Sequence, residues 1–191
     1  MNQNVLFIHG FASIGQGVKS LQLKDILMNE VLAPDLNHQP IEDVAYLSRL
    51  IETHQIRTVI GSSLGGFYAL LLALKYPVNV ILINPAVQSP QTLQKYIGTV
   101  ERYNGEQFLW SQQQVDELAT LAKEISPQNL AKQLDQKRIL TLLAKHDEVL
   151  DYRDAATLLS DSHIIIDEAQ DHRFADLSPY NDIIAHWHQA K

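Results

Sequence analysis

The sequence predicts a doubly wound α/β fold with a mainly parallel six-stranded sheet, and three observations point to it. Short, almost continuously apolar runs recur at 5–8, 31–33, 58–60, 80–83, 139–143 and 163–166. Continuous rather than alternating runs mark strands covered on both faces, as in a parallel sheet. Stretches of helical period separate several of these runs, the alternation that builds parallel crossovers. The connection after the third run is Gly61-Ser62-Ser63-Leu64-Gly65-Gly66, where small residues allow a strand to turn abruptly into a helix.

The elements follow in order. Val5-Leu6-Phe7-Ile8 gives the first strand, and Val18, Leu21 and the Ile26-Leu27 pair outline the first crossover helix. After the second strand, Val31-Leu32-Ala33, the residues Ile41, Val44, Leu47 and Ile51 share a helical face behind Pro40, which suits a first helical turn. Thr58-Val59-Ile60 is the third strand and Phe67 to Leu74 an apolar helix behind it. Val80 to Ile83 form the fourth strand, Ile139 to Leu143 the fifth and His163 to Ile166 the sixth, with a closing helix over 179–190. The interval of about 84–137 is longer than a crossover needs. It carries Tyr96, Tyr103, Phe108 and Trp110, then a helical stretch at Val115, Leu118, Leu121 and Ala122. It reads as a helical lid-like insertion between the fourth and fifth strands, with two plain packing helices as the alternative. Residues 1–191 form a single domain of a size that buries a core unaided.

Composition narrows the function. Hydrophobic content of 46% and charged content of 19% are those of a globular protein. A net charge of −7 argues against a nucleic-acid partner, which calls for a basic stripe. The absence of cysteine excludes disulfides, thiolate catalysis and Cys-ligated zinc. Met1-Asn2-Gln3-Asn4 carries no positive side chain, the 5–8 run is too short for a signal-peptide core, and no apolar run has membrane-spanning length. The expectation is a cytoplasmic protein with no membrane partner.

Ser63 is the candidate nucleophile, at the centre of a Gly-x-Ser-x-Gly pattern between strand and helix. A structural Gly-Ser turn is the alternative. A serine hydroxyl needs a base to take its proton during attack. Of eight histidines, His172 follows the last strand, where reactive groups of open α/β sheets gather. His38 and His54 read as solvated surface residues, His9 as a strand-end histidine bonded to backbone, and His186 and His188 as a poor metal pair. The base needs an acid to fix its tautomer. Asp147, after the fifth strand, lies between Ser63 and His172 in the order this fold uses; Glu148, Asp151 and Asp167 compete, Asp151 reading as a helix cap. Oxyanion donors are expected from the backbone N–H groups of Leu64 and Phe11, with no cofactor and no metal.

These residues resemble a small α/β-hydrolase, and more narrowly the YqiA-type small bacterial esterase family. The resemblance rests on His9-Gly10-Phe11 with Ser13 and Lys19, on Gly61 to Ala69, on Asn84-Pro85-Ala86-Val87, on Asp147 to Arg153, and on His172 with Phe174. Where that family tends to carry glycine before the acid and before the histidine, this chain has His146 and Ala169-Gln170-Asp171. The resemblance implies hydrolysis of a small-molecule carboxylic ester, extending to acyl-CoA thioesters, through a Ser63–Asp147–His172 triad. Lyase, perhydrolase or C–C hydrolase chemistry and a non-catalytic binding module are the other readings of the scaffold. A CoA substrate calls for cations at the cleft mouth; Lys19, Lys95, Arg102, Arg153 and Arg173 are the candidates, with plain surface charge as the alternative.

Overall fold

A computed structural model describes residues 5–189; residues 1–4 and 190–191, which include the last residue of the expected closing helix, lie outside it. The strands in chain order are β1 (Val5–Ile8), β2 (Val31–Leu32), β3 (Thr58–Ser62), β4 (Asn79–Ile83), β5 (Gly98–Glu101), β6 (Gln107–Trp110), β7 (Ile139–Ala144) and β8 (His163–Asp167). Six form one sheet in the order β2-β1-β3-β4-β7-β8, with every neighbouring pair parallel. The helices are α1 (Val18–Leu27), α2 (Pro40–His54), α3 (Leu64–Lys75), α4 (Ser89–Leu93), α5 (Gln112–Ala122), α6 (Pro127–Gln133), α7 (Tyr152–Leu158) and α8 (Asn181–Gln189).

Both faces of the sheet are covered, which is why its strands read as continuous apolar runs. Alternate residues divide between two cores. Leu6, Ile8, Val59, Val80 and Leu82 face α2, α3 and the insertion, whereas Val5, Phe7, Ile60, Ile81 and Ile83 face Leu23 of α1 and Ile184 of α8. Every residue of α3 from Leu64 to Ala73 is buried, so this helix is apolar all round rather than along a stripe. The chain leaves β1 toward β2 and then crosses to β3 on its other side, so the switch point of the topology falls between β1 and β3. The loops after those two strands carry His9-Gly10-Phe11 and the Ser63 turn.

Two expectations need correcting. The helix α1 is present, but Val18 and Leu21 point to solvent (66% and 56% exposed) while Ser20 and Leu23 are buried. Ser20 can be buried because its hydroxyl donates to the Gly17 carbonyl at 2.8 Å. The insertion between β4 and β7 holds the helices α4, α5 and α6, and also the antiparallel hairpin β5–β6, where Val100 pairs with Phe108 and Thr99 with Leu109. Strands of four residues give too few alternations to be separated from a helical pattern. Among the described residues no helix is long and apolar enough to cross a membrane.

Asp43, in the first turn of α2, is 2% exposed. Its Oδ1 accepts the Asn37 N–H at 3.1 Å, and among the described residues its Oδ2 has no partner. Burial pushes its pKa up to about 6, against the pull of nearby backbone N–H groups and Arg102. A carboxyl raised above its unfolded value contributes stability below the unfolded pKa that is lost as pH rises through about 6. Asp43→Asn should therefore melt above wild type at pH 7.5, with the difference closing by about pH 4, near the unfolded carboxyl pKa. A variant that melts lower across the whole range would show that the bonds of the ionised carboxylate outweigh its burial.

Candidate active site

Ser63 has φ 54° and ψ −119° and sits between the last residue of β3 and the first of α3. Four backbone bonds hold it there. Its N–H donates to Ile83 O at 3.0 Å, and its carbonyl accepts from Gly66, Phe67 and Ala86 at 2.9, 3.3 and 3.0 Å. The glycines around it permit the approach. A Cβ on Gly61 would collide with the Gly65 carbonyl, one on Gly65 with the Ile8 carbonyl, and one on Gly66 would lie 2.7 Å from Pro85 Cβ. Leu64 opens α3, so its N–H falls outside the helical ladder.

The loop after β1 lies against this turn. A Cβ on Gly10 would stand 3.2 Å from Ser63 Cβ and 3.7 Å from Ser63 Oγ. His9, 1% exposed, fixes the loop. Its Nε2 accepts the Leu36 N–H at 3.1 Å, so its Nδ1 carries the proton and donates to Gly10 O at 2.8 Å. Burial lowers its pKa, which keeps this tautomer neutral.

The Phe11 ring stands 4.9 Å from that of Trp110 and 5.5–5.6 Å from those of His38, Phe108 and Tyr96. The hairpin β5–β6 is thus fastened over the loop that carries Phe11. Tyr103 N–H, at its tip, donates to Ala12 O at 3.1 Å, and Arg102 Nη2 donates to Leu36 O at 2.8 Å. His38 belongs to this cluster and not to the surface, a correction of the histidine reading. It is 1% exposed, stacks on Phe108 at 4.3 Å, and is held by burial, with Arg102 and His9 adding to it, down to a pKa of about 3. Polar sequence neighbours gave no sign of the aromatic hairpin that folds over it.

The expected base and acid meet. His172 Nδ1 lies 2.8 Å from Asp147 Oδ2 and 3.0 Å from Oδ1. The side chain of Asp147 is 2% exposed, and its Oδ1 also accepts the Val149 and Leu150 N–H groups at 2.8 and 2.7 Å. The carboxylate accepts from Nδ1–H, leaving Nε2 as the basic nitrogen. Among the described residues Ser63 Oγ makes no hydrogen bond, to His172 included. Unliganded sites of this kind often close that bond only with substrate present. Of the competing acids, Glu148 meets the backbone of His172 and not its ring, and the other two are occupied elsewhere. Asp151 caps α7 and pairs with Arg153, while Asp167 accepts from Ala169, Gln170 and Tyr180. Among the described residues no three potential metal ligands gather.

Three residues outside the expected set hold the histidine loop. Glu148 Oε2 accepts the His172 N–H at 3.1 Å. Lys19 Nζ donates to Arg173 O, and burial, with Arg173 beside it, lowers the lysine's pKa to about 8. Asn84 does most. It is 3% exposed at φ 43°; its N–H donates to Leu142 O at 2.9 Å and its Oδ1 accepts the Ala144 N–H at 2.7 Å. Its Nδ2 donates to Asp171 O at 3.0 Å and His172 O at 3.2 Å. One side chain thereby ties the ends of β4 and β7 to the loop after β8. Ile83, its neighbour, holds the Ser63 N–H.

A parallel sheet of this order, a strained serine between β3 and α3, and a carboxylate and histidine on the loops after β7 and β8 define an α/β-hydrolase fold. The chain belongs to the uncharacterised protein family UPF0227, which it matches over residues 4–189. A UPF0227 protein of Serratia proteamaculans is 26% identical, over 92% of this chain and 93% of the relative. The UPF0227 protein YcfP of Salmonella paratyphi A is 25% identical with the same coverage. Among solved structures, Est1E from Butyrivibrio proteoclasticus, described with bound ferulic acid, superposes with a TM-score of 0.70 at 12% identity, covering 96% of this chain and 86% of that one. The esterase domain of a Rhodothermus marinus protein gives 0.66 at 22% identity, covering 96% and 85%. At these identities the likeness shows the fold.

Asn84→Asp should place a carboxylate oxygen against the Asp171 and His172 carbonyls and loosen the histidine loop. The expected result is a loss in kcat of about 10²-fold for ester hydrolysis, the scale of a small misplacement of a reacting group, with KM nearly unchanged. Parallel thermal melts separate this from unfolding, and kinetics equal to wild type would remove Asn84 from the site's support.

Proposed function

We propose that this protein is a serine hydrolase that cleaves small-molecule carboxylic esters through an acyl-enzyme on Ser63. The observation that carries the reading is the Asp147–His172 hydrogen bond at 2.8 Å, with the carboxylate side chain buried, on the loops after β7 and β8 of a sheet whose β3 ends at a serine with left-handed backbone. A binding module has no use for a histidine whose tautomer is fixed by a buried carboxylate. The esterases among proteins of the same fold support the reading as analogy.

In the proposed reaction His172 Nε2 takes the Ser63 proton as Oγ attacks the ester carbonyl. Asp147 holds the imidazole and stabilises the imidazolium that forms. The N–H groups of Leu64 and Phe11 receive the oxyanion, preorganised by the start of α3 and by the loop that His9 and the hairpin fix. His172 then protonates the leaving alkoxide, and water attacks the acyl-enzyme with His172 again as base. Each group is supplied by the chain itself.

Ser63→Ala should lower kcat by several orders of magnitude with an unchanged melting temperature, leaving only the catalysis of the oxyanion donors and of binding. Asp147→Asn should cost up to about 10⁴-fold in kcat, because the amide favours the wrong imidazole tautomer. Asp151→Asn should stay within about tenfold, since asparagine caps a helix nearly as well as aspartate. A near-normal Asp147→Asn variant beside an inactive Asp151→Asn or Asp167→Asn would reassign the acid.

A histidine base that must be neutral to act should make kcat/KM rise with pH to a plateau. A flat profile from about pH 5 to 9, with chemistry limiting, would contradict a histidine base.

A further inference from the structure

A cavity of about 350 Å³ lies between α4 and the segment that runs from the Asp147 loop into α7. Its walls include residues that touch the site on two sides. Pro85 packs against Gly66 of the serine turn, and its neighbour Ala86 donates its N–H to the Ser63 carbonyl. On the other side Val149 and Leu150 both donate their N–H groups to Asp147 Oδ1. In the proposed reaction His172 must reach the leaving oxygen, so the alcohol of the ester lies toward the His172–Asp147 pair. Val149 and Leu150, which bond Asp147, form the wall of the cavity on that side.

Its lining is apolar near the serine and the acid (Pro85, Val87, Val149, Leu150) and polar farther out (Gln88, Gln91, Thr92, Asp151, Asp154). Its volume is at the small end of ligand pockets. No lysine or arginine lines it. Arg153, next in the chain, is exposed and holds both oxygens of Asp151, and Asp154 makes no ion pair among the described residues. Arg153 is thus matched by one carboxylate, leaving the rim with an excess negative charge. The other cations also have partners. Lys19 bonds Arg173 O, Arg102 bonds Leu36 O, and Lys95 and Arg173 lie over the rings of Tyr96 and Tyr103.

We propose that this cavity receives the alcohol group of the ester and selects it by charge, accepting small alcohols that end in a hydroxyl, amide or cationic nitrogen and disfavouring anionic ones, CoA thioesters included. The proposal rests on the esterase reading above. A carboxylate a few ångströms from a unit charge in a water-exposed rim contributes about 1 kcal/mol, a factor of about five in rate constants.

The test keeps the acyl group constant. Hydrolysis rates of acetylcholine, its uncharged carbon isostere, an acetate ester of a hydroxy acid of matching length, and acetyl-CoA are compared at low ionic strength. The expected order of kcat/KM is cationic, then neutral, then both anions, with about fivefold between the first two. Asp154→Asn should shrink that preference toward unity, Asp154→Lys should invert it, and Asp182→Asn on α8, with the same change in net charge, should leave it alone. Salt of about 1 M, where the screening length is about 3 Å, should flatten the wild-type preference. An order unchanged by both Asp154 substitutions, or acetyl-CoA as the best substrate, would overturn the proposal while leaving the esterase reading standing. Failure of wild type to cleave any of the four, or activated esters, would overturn both.

Discussion

The backbone of Ser63 is the constraint around which the rest of the structure is arranged. A non-glycine residue held at φ 54° and ψ −119° costs of order 1–3 kcal/mol, and it persists only where its surroundings over-determine it. Here four backbone hydrogen bonds, each worth about 1 kcal/mol net, converge on the one residue from β4, α3 and the loop after β4. Glycines at 61, 65 and 66 let β3, α3, the end of β1 and Pro85 come close enough to make them. The same strain turns the serine out of the sheet at the start of a helix, next to the topological switch point. Fold stability and site geometry are therefore one problem in this molecule.

The remaining groups are brought to the serine by buried polar residues that bond more than one element each. His9 joins the loop after β1 to Leu36, and Asn84 joins β4 and β7 to the histidine loop. Such residues are buried at little cost because their donors and acceptors are met, and they transmit the rigidity of the sheet to loops that lack it. The hairpin β5–β6 does the same by aromatic packing, closing on Phe11 while its tip reaches Ala12 and the Arg173 side chain. This part of the insertion is fastened over the loop after β1 and does not stand apart from it.

Much of this was legible in the sequence because it depends on local chemistry. Buried parallel strands announce themselves as apolar runs, and the small residues around Ser63 mark the turn, since no others fit. Asp147 and His172 could be chosen by their positions after strands and by chain order, and the structure brings them within 2.8 Å. What escaped depends on contacts distant in sequence. His38 has polar neighbours in the chain and is buried only because Phe108, seventy residues on, stacks over it. Asn84 gave only the signal of standing behind a strand, and its four bonds reach 58 to 88 residues away. Val18 and Leu21 mark the helix α1 correctly, but its buried residues are Ser20 and Leu23, which only the packing of the folded chain selects.

The central claim is that Ser63 becomes covalently acylated with His172 as its base, and the most direct measurement is where a phosphonylating reagent that takes the place of the ester ends up. The protein is treated with a serine-directed phosphonate at neutral pH, digested and mapped by mass spectrometry, alongside His172→Gln. The account predicts a single adduct on Ser63 that forms far more slowly in the variant. An adduct on Ser62 or elsewhere, or labelling of Ser63 at the same rate without His172, would contradict it.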